Sequence, residues 1–198
     1  MHSPQCDEFR RLHHSGCFVI PNPWDRGSAR LLARLGFSAL ATTSSGFAWS
    51  RGQSDTHVSL DDTLDHLRSI AHAVDIPVNA DFEGGFATEP ADVAANVTLA
   101  TATGVAGLSI EDSTGDEAEP LFEFDLAVER IRAARRAIDA SGTGILLTGR
   151  SEGFIAGRPD LAETIRRLKA YSDAGADCLY APGIRTREDI TAVVNAVA

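Results

Sequence analysis

The sequence is short of the features that mark several large classes of protein. Positive charge is scarce: 18 Lys and Arg stand against 28 Asp and Glu, a formal charge of −10. No basic stripe is available to neutralise phosphates, which excludes nucleic acid as a partner. Cysteine is scarce as well. Cys6, Cys17 and Cys178 are odd in number, widely spaced and in no CxxC pattern. Neither a disulfide framework nor a zinc site is indicated, and a reduced, cytoplasmic setting is expected. No apolar run is long enough to span a bilayer, so no membrane partner is expected. The opening stretch "MHSPQCDEFRRLHHSG" has neither the apolar core nor the basic start of a signal peptide. No GxGxxG or GxxxxGK[ST] follows an apolar run, which argues against an open-sheet nucleotide binder.

What is present is an alternation. Short apolar runs at 16–24, 38–46, 76–81, 105–112, 144–150 and 176–183 read as strands. Segments of helical periodicity follow them at 27–36, 59–74, 89–104, 124–142, 160–175 and 186–198. Gly36 and Gly142 close two of these helices, and Ser59 opens a third as its cap, with Asp62 three residues on. The strands are apolar throughout rather than alternating, so they belong to a parallel sheet covered by helices. At 198 residues the chain suits one domain, 1–198, with a sizeable core. Two architectures fit: an open doubly wound sheet, or a (β/α)8 barrel of the TIM type of which about six βα units are present. Both place function at the carboxyl ends of the strands.

Those strand ends are acidic. In "PVNADFEGGFAT" (77–88), Asp81 and Glu83 are two apart, and side chains at i and i+2 of a strand share a face. Strand one ends near Asp25, strand four at Glu111-Asp112, and strand five at Arg150 with Glu152 two residues on. Asp25 also reads as a helix cap, and Asp112 reads as a cap or a solvated loop charge. The pair Asp81 and Glu83 resists that explanation, because a cap needs one carboxylate. Clustered carboxylates repel one another, and a divalent cation with oxygen ligands would relieve the repulsion. Mg²⁺ is expected, with Mn²⁺ as the alternative. Arg150 would hold a substrate carboxylate or phosphate in a bidentate grip. The chemistry implied is stabilisation of an enolate or similar oxyanion.

The stretches "FVIPNPWDRGSARLLARLGFSALATTSSGFAWSRG", "PVNADFEGGF", "GLSIEDST" and "LLTGRSEGF" resemble the isocitrate lyase/phosphoenolpyruvate mutase superfamily, in its order and over essentially the whole chain. The likeness is greatest to its phosphoenolpyruvate-mutase-like branch. The resemblance implies a (β/α)8 barrel, Mg²⁺, a homo-oligomer, and a small carboxylate substrate that is a 2-oxo acid or becomes enolpyruvate-like. It implies a carbon–carbon lyase that cleaves or decarboxylates through a metal-stabilised enolate. A binding-only or inactive remnant, or a phosphonomutase-type enzyme of P–C bonds, is the alternative. By the same resemblance Ser45, Gly46 and Phe47 hold the oxo-acid, Asp55 is a catalytic residue of the following loop, and Asp81, Glu83 and Glu111 carry the metal. Arg150 grips the substrate carboxylate.

Two departures qualify the likeness. The loop after strand four reads "STGDEAEPLFEFD" and has none of the cysteine, lysine or histidine that the lyases of the superfamily carry there. Cys178 on strand six reads as a small core residue. Relative to the superfamily, strands seven and eight are missing. The expectation is a C-shaped partial barrel with exposed apolar edges and poor solubility.

Overall fold

The computed structural model describes residues 3–197. Eight helices and five strands follow one another in these residues. Helix α1 (Pro4–His13) and helix α2 (Arg26–Arg34) precede strand β1 (Leu40–Ala41) and helices α3 (Ser44–Ser50) and α4 (Leu60–Ala71). Then come β2 (Val78–Asp81), α5 (Pro90–Thr101), β3 (Gly107–Glu111) and α6 (Phe124–Ser141). The order closes with β4 (Leu146–Arg150), α7 (Leu161–Asp173), β5 (Cys178–Tyr180) and α8 (Arg187–Val197). Ala198, the last residue of the expected final helix, lies outside the described residues.

All strand pairs are parallel, and the order is β1-β2-β3-β4-β5. That order decides between the two architectures. A doubly wound sheet reverses its strand order at a switch point, whereas a barrel adds each strand beside the last. The sheet is therefore an arc of a (β/α) barrel, a half-barrel of five strands.

Five strands replace the expected six because residues 16–24 do not form one. Pro21 and Pro23 have no N–H to give a ladder. The segment still runs beside β1: the Pro21 carbonyl accepts from Ala41 N at 3.1 Å, and Asn22 Nδ2 donates to the Ala41 carbonyl at 2.9 Å. The second expected strand, 38–46, shrinks to two residues because the Thr43 hydroxyl caps a helix there, accepting from Gly46 N. Helix α1 has no counterpart in the sequence reading. It is capped by Ser3, and its Phe9 is buried with a T-shaped contact to Phe18.

Elsewhere the local signals hold. Asp25 forms a reciprocal capping box with Ser28, so it serves α2 rather than the acidic rim. Ser59 accepts from Asp62 N. Gly142 ends α6 in the left-handed conformation. The core lies between the strands and the helices outside them: Leu40, Val78, Ala80, Leu108, Ile110, Leu146 and Leu147 pack against Leu67, Ile70, Val97, Ile131, Ile138 and Leu168, all nearly inaccessible. Each buried Val, Leu or Ile among them contributes about 1.5–3 kcal/mol relative to exposure. The apolar edges expected of a partial barrel are present. Val19, Leu31 and Leu35 are exposed on the β1 side, and Tyr180, Ile190 and Val194 on the β5 side. Among the described residues no helix is long and apolar enough to cross a membrane.

Candidate functional site

The register of the sheet builds the acidic rim. Glu111 and Arg150 are direct partners across β3 and β4, and Asp81 ends β2 opposite Ser109. Arg150 collects three carboxylates. Its guanidinium lies 3.3 Å from Asp81 Oδ1 and 3.4 Å from Glu111 Oε2, and its Nε donates to Glu152 Oε1. Asp81 is fixed from the other side by Ser44 N, which donates to Oδ2 at 2.9 Å. The Thr42 hydroxyl in turn accepts from Asp81 N.

Glu83 arrives by a route other than strand alternation. β2 stops at Asp81, and Glu83 sits in a turn at φ +47°, followed by Gly85 at +77° and Phe86 at +57°. Positive φ is unfavourable for residues with a side chain and, outside glycine, marks strain that the surroundings must hold in place. The holder is Arg130 of α6. Its side chain is 1% exposed, and its guanidinium donates to the carbonyls of Gly84, Ala87 and Thr88. Its face lies 3.8 Å over the Phe122 ring. Burial lowers the Arg130 pKa to about 10, and no carboxylate is bonded to it among the described residues. Sequence reading gave no sign of Arg130, because a basic residue mid-helix looks like a solvated face. The missing signal was its spacing within the apolar stripe of α6, between Ala127 and Ile131.

The charges do not balance. Glu83 is pushed up to about 7 by burial, with Asp81 and Asp55 adding to the rise. Glu111 is pushed up to about 8, again by burial first, against the pull of Arg150. Burial raises Glu152 as well. For Arg150 burial acts downward, but Glu111, Asp81 and Glu152 outweigh it and hold the guanidinium firmly protonated. Three carboxylates on one guanidinium, with Glu83 nearby, leave a surplus of acidic groups in a half-buried site. The donors are all oxygen, which fits a hard divalent cation that keeps part of its water shell. Among the described residues no three carboxylate, imidazole or thiol groups are gathered closely enough to hold a metal ion between them, so the protein as it stands would supply only part of such an ion's coordination.

Beside the rim is a cavity of about 420 Å³, walled in part by Glu83, Glu111, Thr56, Phe86 and Arg130. The non-glycine residues at positive φ among those described are Thr56, Glu83 and Phe86, and all three line it.

The other expected site residues lie around this centre. Asp55 is exposed, its Oδ1 accepts from Thr56 N, and it is near enough to raise Glu83. Ser45 is half-buried, with its hydroxyl 3.2 Å from that of Thr43. Gly46 is tied to Trp24: a side chain there would collide with the indole. Phe47 stacks face to face on His66 of α4, with centroids 3.8 Å apart. Residues 45–47, at the start of α3, therefore lie next to the rim through Ser44 and Asp81 and are not part of the cavity wall.

Asp112 corrects the sequence reading. It is neither a cap nor solvated, being 2% exposed. It accepts from the Tyr171 hydroxyl at 2.6 Å, Glu152 N at 2.7 Å and Arg167 at 3.2 Å. It thereby fixes the backbone of Glu152. Cys178 is half-buried in β5 against the core, and burial pushes its thiol up to about 11, away from thiolate chemistry.

A half-barrel of parallel strands with acidic strand ends and a strand-end arginine defines a class, and comparison places the chain in it. Residues 9–198 match the model of the phosphoenolpyruvate phosphomutase family, and the chain belongs to that family. A solved structure of a Burkholderia cenocepacia J2315 protein described as a lyase/mutase superposes with a TM-score of 0.95 at 50% identity, over 98% of this chain and 70% of that one. Phosphonopyruvate hydrolase, solved with oxalate and Mg²⁺, gives 0.87 at 26% identity, over 98% and 68%. The 2-methylisocitrate lyase of Escherichia coli K12 is 32% identical over 193 residues, 93% of this chain and 64% of the relative. The chain spans about 64% of the length of the curated relatives it matches.

Proposed function

We propose that the chain carries the site of a divalent-metal-dependent carbon–carbon lyase acting on a small 2-oxo acid through an enolate. The observation that carries this reading is the unbalanced rim: Asp81, Glu111 and Glu152 around the single guanidinium of Arg150, with Glu83 nearby and Glu83 and Glu111 raised to about 7 and 8. Such displaced carboxylates in a cleft mark functional sites more than structural ones. Membership of a family that includes lyases of small carboxylates supports it.

Asp81, Glu83 and Glu111 would hold Mg²⁺ or Mn²⁺. When bound, the ion supplies Lewis-acid stabilisation of the developing oxyanion. Arg150 holds the substrate carboxylate by charge-assisted hydrogen bonds, and its firm protonation keeps that grip across the working pH range. Ser45, Gly46 and Phe47, at the start of α3, would border the oxo-acid. Asp55, exposed at the mouth beside Glu83, is the residue placed to exchange a proton with solvent. Asp112 and Arg130 touch no reacting atom and act by fixing Glu152 and Glu83. The reactions within reach are C–C cleavage and decarboxylation next to the 2-oxo group.

A second reading has its own observation. The segment 113–125 brings no lysine, cysteine or histidine over the site, which favours a binder of oxo-acids without turnover. A thermal shift with Mg²⁺ plus oxalate, a mimic of the pyruvate enolate, reports a formed site. Incubation with a panel of 2-oxo acids then separates the two. Product above the blank rate supports the lyase. Oxalate binding with every substrate left at the blank rate leaves the binder, and no response to oxalate removes both.

A further inference from the structure

Tyr180 ends β5 at the rim and has no role in the chemistry proposed so far. Strand register sets its place: Glu111 pairs with Arg150, and Arg150 pairs with Tyr180. Directly paired residues of parallel strands project to one face, so the three form a row across the strand ends. The Tyr180 carbonyl accepts from Ser151 N at 2.9 Å, which fixes the end of β5 against the residue after Arg150. The guanidinium carbon of Arg150 lies 5.4 Å from the centroid of the Tyr180 ring, a cation–π contact. Tyr180 is 49% exposed, and its hydroxyl makes no hydrogen bond among the described residues. Register and the contact with Arg150 set it apart from an ordinary exposed edge residue.

The rim is short of donors for a ligand. Arg150 gives Nε to Glu152 and Nη1 to Asp81, and Glu111 lies 3.4 Å from Nε. Its Nη2 makes no hydrogen bond among the described residues. A ligand carboxylate reaching Nη2 brings about four lone-pair sites, more than that one nitrogen satisfies. It also enters beside carboxylates that already share the cation. A neutral hydroxyl adds a donor to the anion at this point, and hydrogen bonds to charged groups are the strong ones. Tyr171, the other tyrosine of the chain, gives its hydroxyl to Asp112, and the segment 113–125 brings no lysine or histidine.

We propose that Tyr180 is a substrate-binding residue whose hydroxyl donates to the carboxylate that Arg150 holds, so that a phenol and a guanidinium grip the ligand together. This assignment rests on the oxo-acid reading of the rim and adds to it a residue on β5.

The test is calorimetric titration of oxalate in the presence of Mg²⁺, with the whole chain, in the parent, Tyr180→Phe and Tyr180→Leu. Phenylalanine keeps a ring against Arg150 and removes only the hydroxyl. Oxalate should bind Tyr180→Phe roughly tenfold or more weakly than the parent, the loss expected for one hydrogen bond to a charged group. The urea unfolding midpoint of that variant should not move, because the hydroxyl has no protein partner. Tyr180→Leu removes the ring as well and should bind oxalate no better than Tyr180→Phe. Affinity in either variant within about twofold of the parent would overturn the proposal. A loss of stability in Tyr180→Phe that matches its loss of affinity would also overturn it, because the phenol would then serve the fold. If oxalate fails to bind the parent with Mg²⁺, the oxo-acid reading falls and takes this inference with it, a failure visible before any variant is compared.

Discussion

Glu111 and Asp112 are neighbours at the end of one strand and live in opposite electrostatic worlds. Asp112 faces away from the rim into a closed network, where Tyr171, Arg167 and the Glu152 amide satisfy its oxygens. Glu111 faces the rim, where Arg150 is shared among too many carboxylates and burial pushes its pKa to about 8. Burial is similar in kind at the two positions, but compensation is not. A buried charge that is fully paired holds a structure together, whereas one left in surplus destabilises the free protein and awaits a ligand.

The contrast can be broken from either side. Asp112→Ala should have the largest effect on stability, a loss of about 3–5 kcal/mol in urea unfolding, because it leaves the Tyr171 hydroxyl and the Glu152 amide without their acceptor and takes from Arg167 one of its two carboxylates. Glu111→Gln should leave stability unchanged or raised, since it removes a surplus charge. A Glu111→Gln loss as large as that of Asp112→Ala would erase the distinction. Next in size comes Arg130→Met, which leaves the carbonyls of Gly84, Ala87 and Thr88 without this donor and should cost about 2–3 kcal/mol. Arg130→Lys, which keeps some of the donors, should recover part of this, both in stability and in the Mg²⁺-dependent response to oxalate.

Smaller effects sharpen the comparison. Glu83→Gly removes a side chain from φ +47° and should stabilise the fold by about 1 kcal/mol while weakening the metal response. Activity bought with strain predicts that pairing; a destabilised Glu83→Gly variant would contradict it. The smallest effect concerns His66, whose Nε2 is buried without a partner and whose pKa burial lowers from 6.5 to about 4. The unfolded chain takes up this proton near pH 6.5 and the folded chain does not, so the stability tied to neutral His66 is present above pH 6.5 and is lost as pH falls toward 4. His66→Phe keeps a ring against Phe47 and should flatten that part of the stability–pH curve. Identical slopes for variant and parent would refute the assignment.

The sequence made the repeating strand-and-helix order legible because buried parallel strands and capped helices leave strong local marks, such as Ser59 and Gly142. It also made Asp81, Glu83, Glu111 and Arg150 legible as a rim, because strand ends in such folds point to one side. It misjudged what depends on three dimensions. The apolar run at 16–24 looked like a strand, but Pro21 and Pro23 cannot ladder. Glu83 was expected on the face of a strand and reaches the rim through a left-handed turn that Arg130, 47 residues away in the chain, holds in place. Asp112 looked like a cap because its partners, Arg167 and Tyr171, lie more than 50 residues further on. Local patterns record local energetics; burial against a distant helix leaves no mark at the residue itself.

The most direct test of the rim as a metal and oxo-acid site is calorimetric titration of oxalate with and without Mg²⁺, in the parent chain and in Glu111→Gln. The account predicts oxalate binding that requires Mg²⁺ and is lost in Glu111→Gln while the fold is retained. Oxalate binding that ignores Mg²⁺, or that survives Glu111→Gln undiminished, would contradict it.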